Sequence, residues 1–214
     1  MTAMITAIVL AGGRASRMGG MDKGLVELAG RPMIAHVLAR LAPQVTHVLI
    51  NANRNLERYA AFGWPVVPDE ETGFLGPLAG LAVGLGAART PLVLTAPCDC
   101  PLLAPDLASR LHSALENEAA DIAVPFDGER LQPVFALVRC ELAQSLADYL
   151  AGGDRKIDRW FGRHRLARVD FSDRPENFVN VNDPEERAAL ERRLAEDSRQ
   201  PGAGTSPLPQ DPQA

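Results

Sequence analysis

Residues 10–23 read Leu-Ala-Gly-Gly-Arg-Ala-Ser-Arg-Met-Gly-Gly-Met-Asp-Lys and carry the densest chemistry in the chain. Gly12 and Gly13 directly follow the apolar run 6–10. Glycines there let the backbone turn sharply and direct successive N–H groups outward. Arg14, Arg17 and Lys23 add three cationic heads within ten residues. Outward N–H groups together with guanidinium and ammonium heads form a cradle for a polyphosphate. Lys23 precedes Gly24 rather than Ser or Thr, which excludes a Walker loop. The adjacent pair Gly12-Gly13 lacks the G-x-G-x-x-G order of a dinucleotide fingerprint.

Other polar residues stand where an α/β sheet collects ligands, beyond the carboxyl ends of its strands. Asn51 and Asn53 end the apolar run 47–50, Asp69 follows 65–67, and Asp99 follows 92–96 within Pro97-Cys98-Asp99-Cys100-Pro101. A single Asn or Asp after a strand is ordinarily a turn residue. Four such residues at three strand ends, beside one anion loop, are a constellation. Asp99, in a turn stiffened by Pro97 and Pro101, suits Mg²⁺, which takes one or two carboxylates while substrate phosphates fill other positions. Asp69 is placed either to share that cation or to bind the nucleotide. Residues Gly76, Pro77, Leu78 and Gly80 open a helical stretch. Gly80, Gly84 and Gly86 each lower helix stability by roughly 0.8–1 kcal/mol relative to Ala, so they mark tight packing on the sheet or close approach of a planar base. His36, His47, His112 and His164 have no metal-ligand spacing and no nucleophile beside them.

The elements that must hold these groups follow from two alternating periods. Short β-branched, apolar runs at 6–10, 47–50, 65–67, 92–96, 122–124 and 134–138 read as strands. Between them, Met33/Val37/Leu41, Leu78/Leu81/Ala82/Leu85, Leu107/Leu111/Leu115 and Leu142/Leu146/Leu150 repeat at helical spacing. This is the pattern of a three-layer α/β/α, Rossmann-like, mainly parallel sheet. Asp127-Gly128 predicts a hairpin turn, which makes the sheet mixed in its second half. Asp183 as N-cap, Pro184 as first residue and Glu186 in a capping box open a last helix. One domain spanning residues 1–196 is expected. Residues 197–214 hold four prolines, two glycines and one large apolar side chain, Leu208, and are expected to be a disordered tail.

Composition narrows the class. The 214 residues carry 22 Lys and Arg against 27 Asp and Glu, a net charge of −5, which argues against nucleic acid or anionic lipid as a partner. The apolar run 78–88 is far below the ~20 residues that span a bilayer, and the first residues lack a signal-peptide pattern. Cys98, Cys100 and Cys140 are odd in number and without CxxC spacing, so reduced thiols and a cytoplasmic location are expected.

Leu10-Ala11-Gly12-Gly13, Arg17-Met18-Gly19-Gly20 and Asp22-Lys23 resemble the signature of nucleotidyltransferases with a glycosyltransferase-A-like fold. Gly76-Pro77-Leu78-Ala79-Gly80, the Cys98-Asp99 turn and Phe178-Val179-Asn180-Val181-Asn182 narrow the resemblance to the molybdenum cofactor guanylyltransferases, the MobA family, over residues 5–194. The resemblance implies transfer of GMP from GTP to the terminal phosphate of Mo-molybdopterin, with release of pyrophosphate. It implies nucleotide contacts from Leu10, Ala11, Gly12, Gly13, Lys23, Asn51, Asp69, Gly76, Pro77, Leu78 and Gly80. Asp99 would bind both GTP and Mg²⁺, and Arg17 would join Lys23 and Asp99 as an active-site residue. Asn180, Asn182 and the basic pair Arg155-Lys156 fall on the pterin side. Gln132-Pro133-Val134 departs from the His-Pro-Thr of relatives.

The implied chemistry needs no general base, because a phosphate monoester with a second pKa near ~6 is mostly dianionic at neutral pH. Positioning and charge neutralisation remain as the catalytic task. A monomer is expected, with transient contacts to other molybdenum-cofactor biosynthesis proteins and recipient molybdoenzymes. Two other readings stand beside this one: a CTP-using cytidylyltransferase acting on the pterin or on a sugar phosphate, and a nucleotide- or pterin-binding partner without chemistry.

Overall fold

A computed structural model of the chain describes residues 3–11, 22–69, 76–181 and 184–197. In chain order these form β1 (Ile5–Leu10), β2 (Glu27–Leu28), β3 (Arg31–Pro32), α1 (Met33–Leu41), β4 (His47–Asn51), α2 (Leu56–Ala60), β5 (Val66–Val67) and α3 (Pro77–Ala87). There follow β6 (Leu92–Pro97), α4 (Leu107–Asn117), β7 (Ile122–Phe126), β8 (Leu137–Arg139), α5 (Ala143–Ala151), α6 (Ile157–Phe161), β9 (Leu166–Asp170) and α7 (Pro184–Asp197).

Seven strands make one sheet in the order β5-β4-β1-β6-β8-β7-β9. The four strands β5, β4, β1 and β6 run parallel, as does the pair β7 and β9. Only β8 runs antiparallel to its neighbours β6 and β7. The sheet is therefore mixed in its second half, as the Asp127-Gly128 turn predicts. In that turn Asp127 Oδ1 accepts the N–H groups of Glu129 and Arg130 at 2.8 Å each, and Gly128 takes a φ of 104°.

Alternation along the strands builds two cores. In β1, Ile5, Ala7 and Val9 enter one apolar cluster with Val37 and Leu41 of α1 and Leu107, Leu111 and Leu115 of α4. Ile8 points the other way, into a cluster with Leu78, Leu81 and Leu85 of α3, Leu146 of α5 and Trp160 of α6. Helices on both faces give the three-layer α/β/α architecture. Pro77 and Pro184 are the first residues of α3 and α7, where their fixed φ and missing N–H are tolerated. Asp183 and residues 198–214 lie outside the described residues, so the cap and the tail do too.

Three local departures have physical causes. Residues 134–138 do not form one strand: β8 begins only at Leu137, because the chain turns at Gln132 (Phe135 N–H to Gln132 O, 3.0 Å). The Thr95 hydroxyl completes the ladder there, donating to Val134 O at 2.7 Å and accepting from Ala136 N–H at 3.0 Å. The short hairpin β2–β3 turns through Ala29 and Gly30 with φ of 49° and 74°. Edge strand β9 alternates buried Ala167 and Val169 with exposed Arg168 and Asp170, a period too short to stand out in the sequence.

Thr95 is 3% exposed, so Thr95→Val keeps the shape but strands the Ala136 N–H and the Val134 carbonyl. Leaving a buried polar group unpaired costs about 1–3 kcal/mol. Urea denaturation should show a loss of that size, and a neutral result would mean that water replaces the hydroxyl.

Candidate active site

Register aligns the strand ends. Leu10 pairs with both Asn51 and Pro97, and Asn51 pairs with Val67, so Val67, Asn51, Leu10 and Pro97 form one row across four parallel strands. The ladder runs one residue further: Ala11 N–H donates to Asn51 O at 2.8 Å and Cys98 N–H to Leu10 O at 3.2 Å. Asp69 and Asp99 each stand two residues beyond their strand, on the same edge.

Asp69 is immobilised by asparagine amides. Asn51 Nδ2 donates to Asp69 Oδ1 at 2.8 Å and Asn53 Nδ2 to Oδ2 at 2.7 Å, while the Asp69 N–H returns a bond to Asn53 Oδ1 at 2.7 Å. Asn51 also donates to Val67 O at 3.2 Å and is 3% exposed. Gly80, in the first turns of α3, packs on the same group: a Cβ there would overlap Leu10 Cδ2 and lie 2.7 Å from Asn51 Oδ1. That close approach explains this glycine. It sets the amino end of α3, with exposed Gly76 and Pro77 and buried Leu78, against the strand ends. The positive end of a helix dipole therefore faces the row.

Lys23 and Asp99 meet, with Nζ 3.1 Å from Oδ2. Asp99 is 8% exposed. Its turn is tied from behind by the last described residues before α7: Val181 N–H donates to Asp99 O at 3.0 Å, and the Cys100 thiol donates to Asn180 Oδ1 at 2.6 Å. Burial, and then the neighbouring Asp99 carboxylate, push the Cys98 and Cys100 thiols well above their usual range, so neither is a thiolate nucleophile.

The structure thus gathers Leu10, Ala11, Lys23, Asn51, Asp69, Gly80 and Asp99 at one edge, with Asn180 behind the Asp99 turn. Gly12, Gly13, Arg14, Arg17 and Asn182 lie outside the described residues. Arg155 is engaged elsewhere: Nη1 donates to Leu150 O at 2.5 Å and Asp154 O at 2.9 Å, closing the end of α5. Gln132 braces the β7 turn, donating to Asp127 Oδ2 at 2.5 Å. Asn53 ends the β4 run and holds Asp69, although the resemblance does not place it among the nucleotide contacts. The polar cluster around Asp22 is not foreseen from the sequence either; its one signal there is Gly24, the residue that excludes a Walker loop.

A parallel half-sheet whose carboxyl edge brings a lysine from a glycine- and arginine-rich loop to a buried aspartate defines an α/β enzyme of the nucleotidyltransferase class. Residues 7–169 match the family model of the MobA-like NTP transferase domain, and the chain belongs to that family. Among curated relatives it is 52% identical over 195 residues to the molybdenum cofactor guanylyltransferase of Shewanella sediminis, covering 91% of this chain and 100% of that one. A guanylyltransferase of the same description from Shewanella amazonensis is 52% identical over 196 residues, covering 92% and 100%. Among solved structures, molybdopterin-guanine dinucleotide biosynthesis protein A from Archaeoglobus fulgidus shares the fold, with a TM-score of 0.74 at 22% identity over 90% of this chain and 100% of that one.

Two glycines of α3 separate the packing role from simple helix propensity. Gly86 is exposed, and a Cβ added there would meet nothing within 4 Å, so Gly86→Ala should stabilise the fold by about 0.8–1 kcal/mol. Gly80→Ala should instead destabilise it by about 1–3 kcal/mol through overpacking on Leu10 and Asn51. Paired denaturation curves check this, and a shared sign would break the assignment of Gly80.

Proposed function

We propose that the protein transfers GMP from GTP to the terminal phosphate of Mo-molybdopterin, giving molybdopterin guanine dinucleotide and pyrophosphate. The observation that carries the reading is the Lys23–Asp99 pair at 3.1 Å, on the edge where Leu10, Asn51 and Asp69 converge. The relatives named guanylyltransferase, which align over nine-tenths of the chain, supply the choice of substrates.

An oxygen of the pterin phosphate attacks the α-phosphorus of GTP, a new P–O bond forms, and the α–β bridging bond breaks with its electron pair leaving on pyrophosphate. The attacking phosphate is already dianionic at neutral pH, so no side chain has to remove a proton. The obstacle is repulsion between two polyanions. Lys23 places one fixed positive charge at the strand ends, and the amino end of α3 adds a partial one. Asn51 and Asp69, held rigid by their mutual bonds, are nucleotide contacts on the β4–β5 side. The backbone of Leu10 and Ala11, joined by that of Gly12 and Gly13, binds the nucleotide, and Gly76, Pro77, Leu78 and Gly80 add contacts from the start of α3. Arg17 adds charge from the loop. Asn180 and Asn182 serve the acceptor. Arg155, engaged with the end of α5, is not included.

Mg²⁺ fits the donors present. Among the described residues no group of three His, Cys, Asp or Glu could hold a metal, which excludes an all-protein cage built from them. A single buried carboxylate, Asp99, beside a phosphate-binding lysine matches a cation that takes most of its ligands from water and substrate. When bound there, Mg²⁺ supplies charge neutralisation on the triphosphate.

Among the described residues no helix is long and apolar enough to cross a membrane. Free Cys98, Cys100 and Cys140 support a reducing, cytoplasmic setting. We further place the protein as a monomer that meets other molybdenum-cofactor biosynthesis proteins and recipient enzymes only in passing.

Asp99→Ala should abolish product formation, and appreciable turnover with Mg²⁺ present would remove its metal role. Lys23→Ala should weaken GTP binding about tenfold, the equivalent of one charge-assisted hydrogen bond, measured by calorimetry. Titration with GTP, CTP and ATP in Mg²⁺ tests the base: tighter binding of CTP would replace this reading with the cytidylyl one.

A further inference from the structure

The Lys23 neighbour Asp22 poses a physical problem that its surroundings solve. A carboxylate beside a polyphosphate loop repels the ligand and competes for the lysine that should bind it. Yet the Asp22 side chain is 7% exposed, so bulk water does not screen it. Three residues of the segment after β4 surround it instead. The Tyr59 hydroxyl donates to Oδ1 at 2.5 Å, Asn55 Nδ2 donates to Oδ2 at 2.9 Å, and Arg54 Nε pairs with Oδ2 at 3.4 Å.

Backbone and packing are shaped around these contacts. Asn55 sits in the left-handed region with a φ of 52°, a conformation that Asn tolerates better than most residues. Tyr59 is 0% exposed, and its ring packs in the core on the α1 and α4 side of the sheet, leaving the hydroxyl as its polar tip. The chain passes that hydroxyl closely: a Cβ at Gly24 would lie 2.6 Å from Tyr59 Oη and 3.3 Å from Cys98 Sγ. Lys23 follows Asp22, held by Tyr59, directly in the chain and pairs with Asp99.

We infer that Tyr59 and Asn55 are positioning residues for nucleotidyl transfer: they clamp the Asp22 carboxylate so that the Lys23 ammonium is directed to Asp99 and to the incoming phosphates. The inference rests on the site being the GTP site proposed above. It adds to that reading a second element, the β4–α2 segment, which acts on the phosphates only through Lys23.

The test is a thermodynamic cycle on the full chain, with GTP affinity read by calorimetry at fixed Mg²⁺ and salt. Tyr59→Phe, which keeps the buried ring, should weaken GTP binding about tenfold in the wild-type background. In the Lys23→Ala background the same change should have no further effect, because the clamp then has nothing to direct. Asn55→Gly keeps the left-handed backbone, removes the donor, and should show the same dependence on Lys23. It decides the matter if Tyr59→Phe does not fold. Wild-type affinity in both Tyr59→Phe and Asn55→Gly, or losses that add in full to that of Lys23→Ala, would overturn the clamp, since a hydroxyl that only stabilises the fold acts alike in both backgrounds. A wild-type chain that binds no GTP would overturn the functional reading and the clamp with it, whereas a failed cycle in a chain that binds GTP overturns the clamp alone.

Discussion

Parallel pairing in register is the constraint on which everything else depends. A strand that slips by one residue turns its core face to the other side of the sheet. In β1 that would exchange Ile5, Ala7 and Val9 with Thr6 and Ile8, between clusters shaped for each. Fully burying one large aliphatic side chain is worth about 1.5–3 kcal/mol, so the apolar faces hold the register far more firmly than any polar contact at the strand ends does. The row Val67, Asn51, Leu10 and Pro97 is thus set by residues that never touch a ligand. The site inherits its precision from the core.

Charge is sorted locally against the acidic balance of the whole chain. Among the described residues three carboxylates stand at this edge, and each is handled differently. Asp99 is paired with an ammonium at 3.1 Å. Asp69 is held by two neutral amides, which fix its direction without cancelling its charge. Asp22 is enclosed by a hydroxyl, an amide and a guanidinium. Burial and the Asp22 hydrogen bond push the Tyr59 phenol far above its usual range, so it remains a donor at any working pH. Within a protein of net charge −5, the described carboxylates nearest Lys23 are thus each given a partner.

The architecture was legible because its signals are one-dimensional. Strand runs, helical stripes and the Asp127-Gly128 turn repeat at fixed spacing, and the polar residues after them announce a shared edge. Boundaries are blurred where a side chain supplements backbone pairing, as the Thr95 hydroxyl does for residues 134–136. Strand β9 is not legible in the sequence because its alternation spans only five residues and is mostly charged on the open side. Within the site, Lys23, Asn51, Asp69 and Asp99 could be read from type and position, whereas Tyr59 could not. Its hydroxyl reaches Asp22 across 37 positions of sequence, and a tyrosine in a short helix looks like any other core residue. Arg155, which the resemblance places on the pterin side, also has a structural role that its type does not announce: its guanidinium donates to carbonyls at the end of α5.

The mixed half of the sheet has a part in the site that its distance in sequence conceals. Phe178 lies edge-on to both Phe135 and Phe171, with ring centroids 5.1 and 5.3 Å away, and this aromatic trio anchors the 3-10 turn Pro175–Phe178 on the core. From that anchor the chain runs directly to Asn180 and Val181, which bind Cys100 and the Asp99 carbonyl. The turn bearing Asp99 is thereby held from two sides, by the β6 ladder in front and by this returning strap behind. A carboxylate that must neither swing toward solvent nor follow Lys23 needs such bracing, since an ion pair alone defines a distance and not a direction. Phe178-Val179-Asn180-Val181 therefore belongs with Asp99 for a mechanical reason, independent of any ligand contact by Asn180.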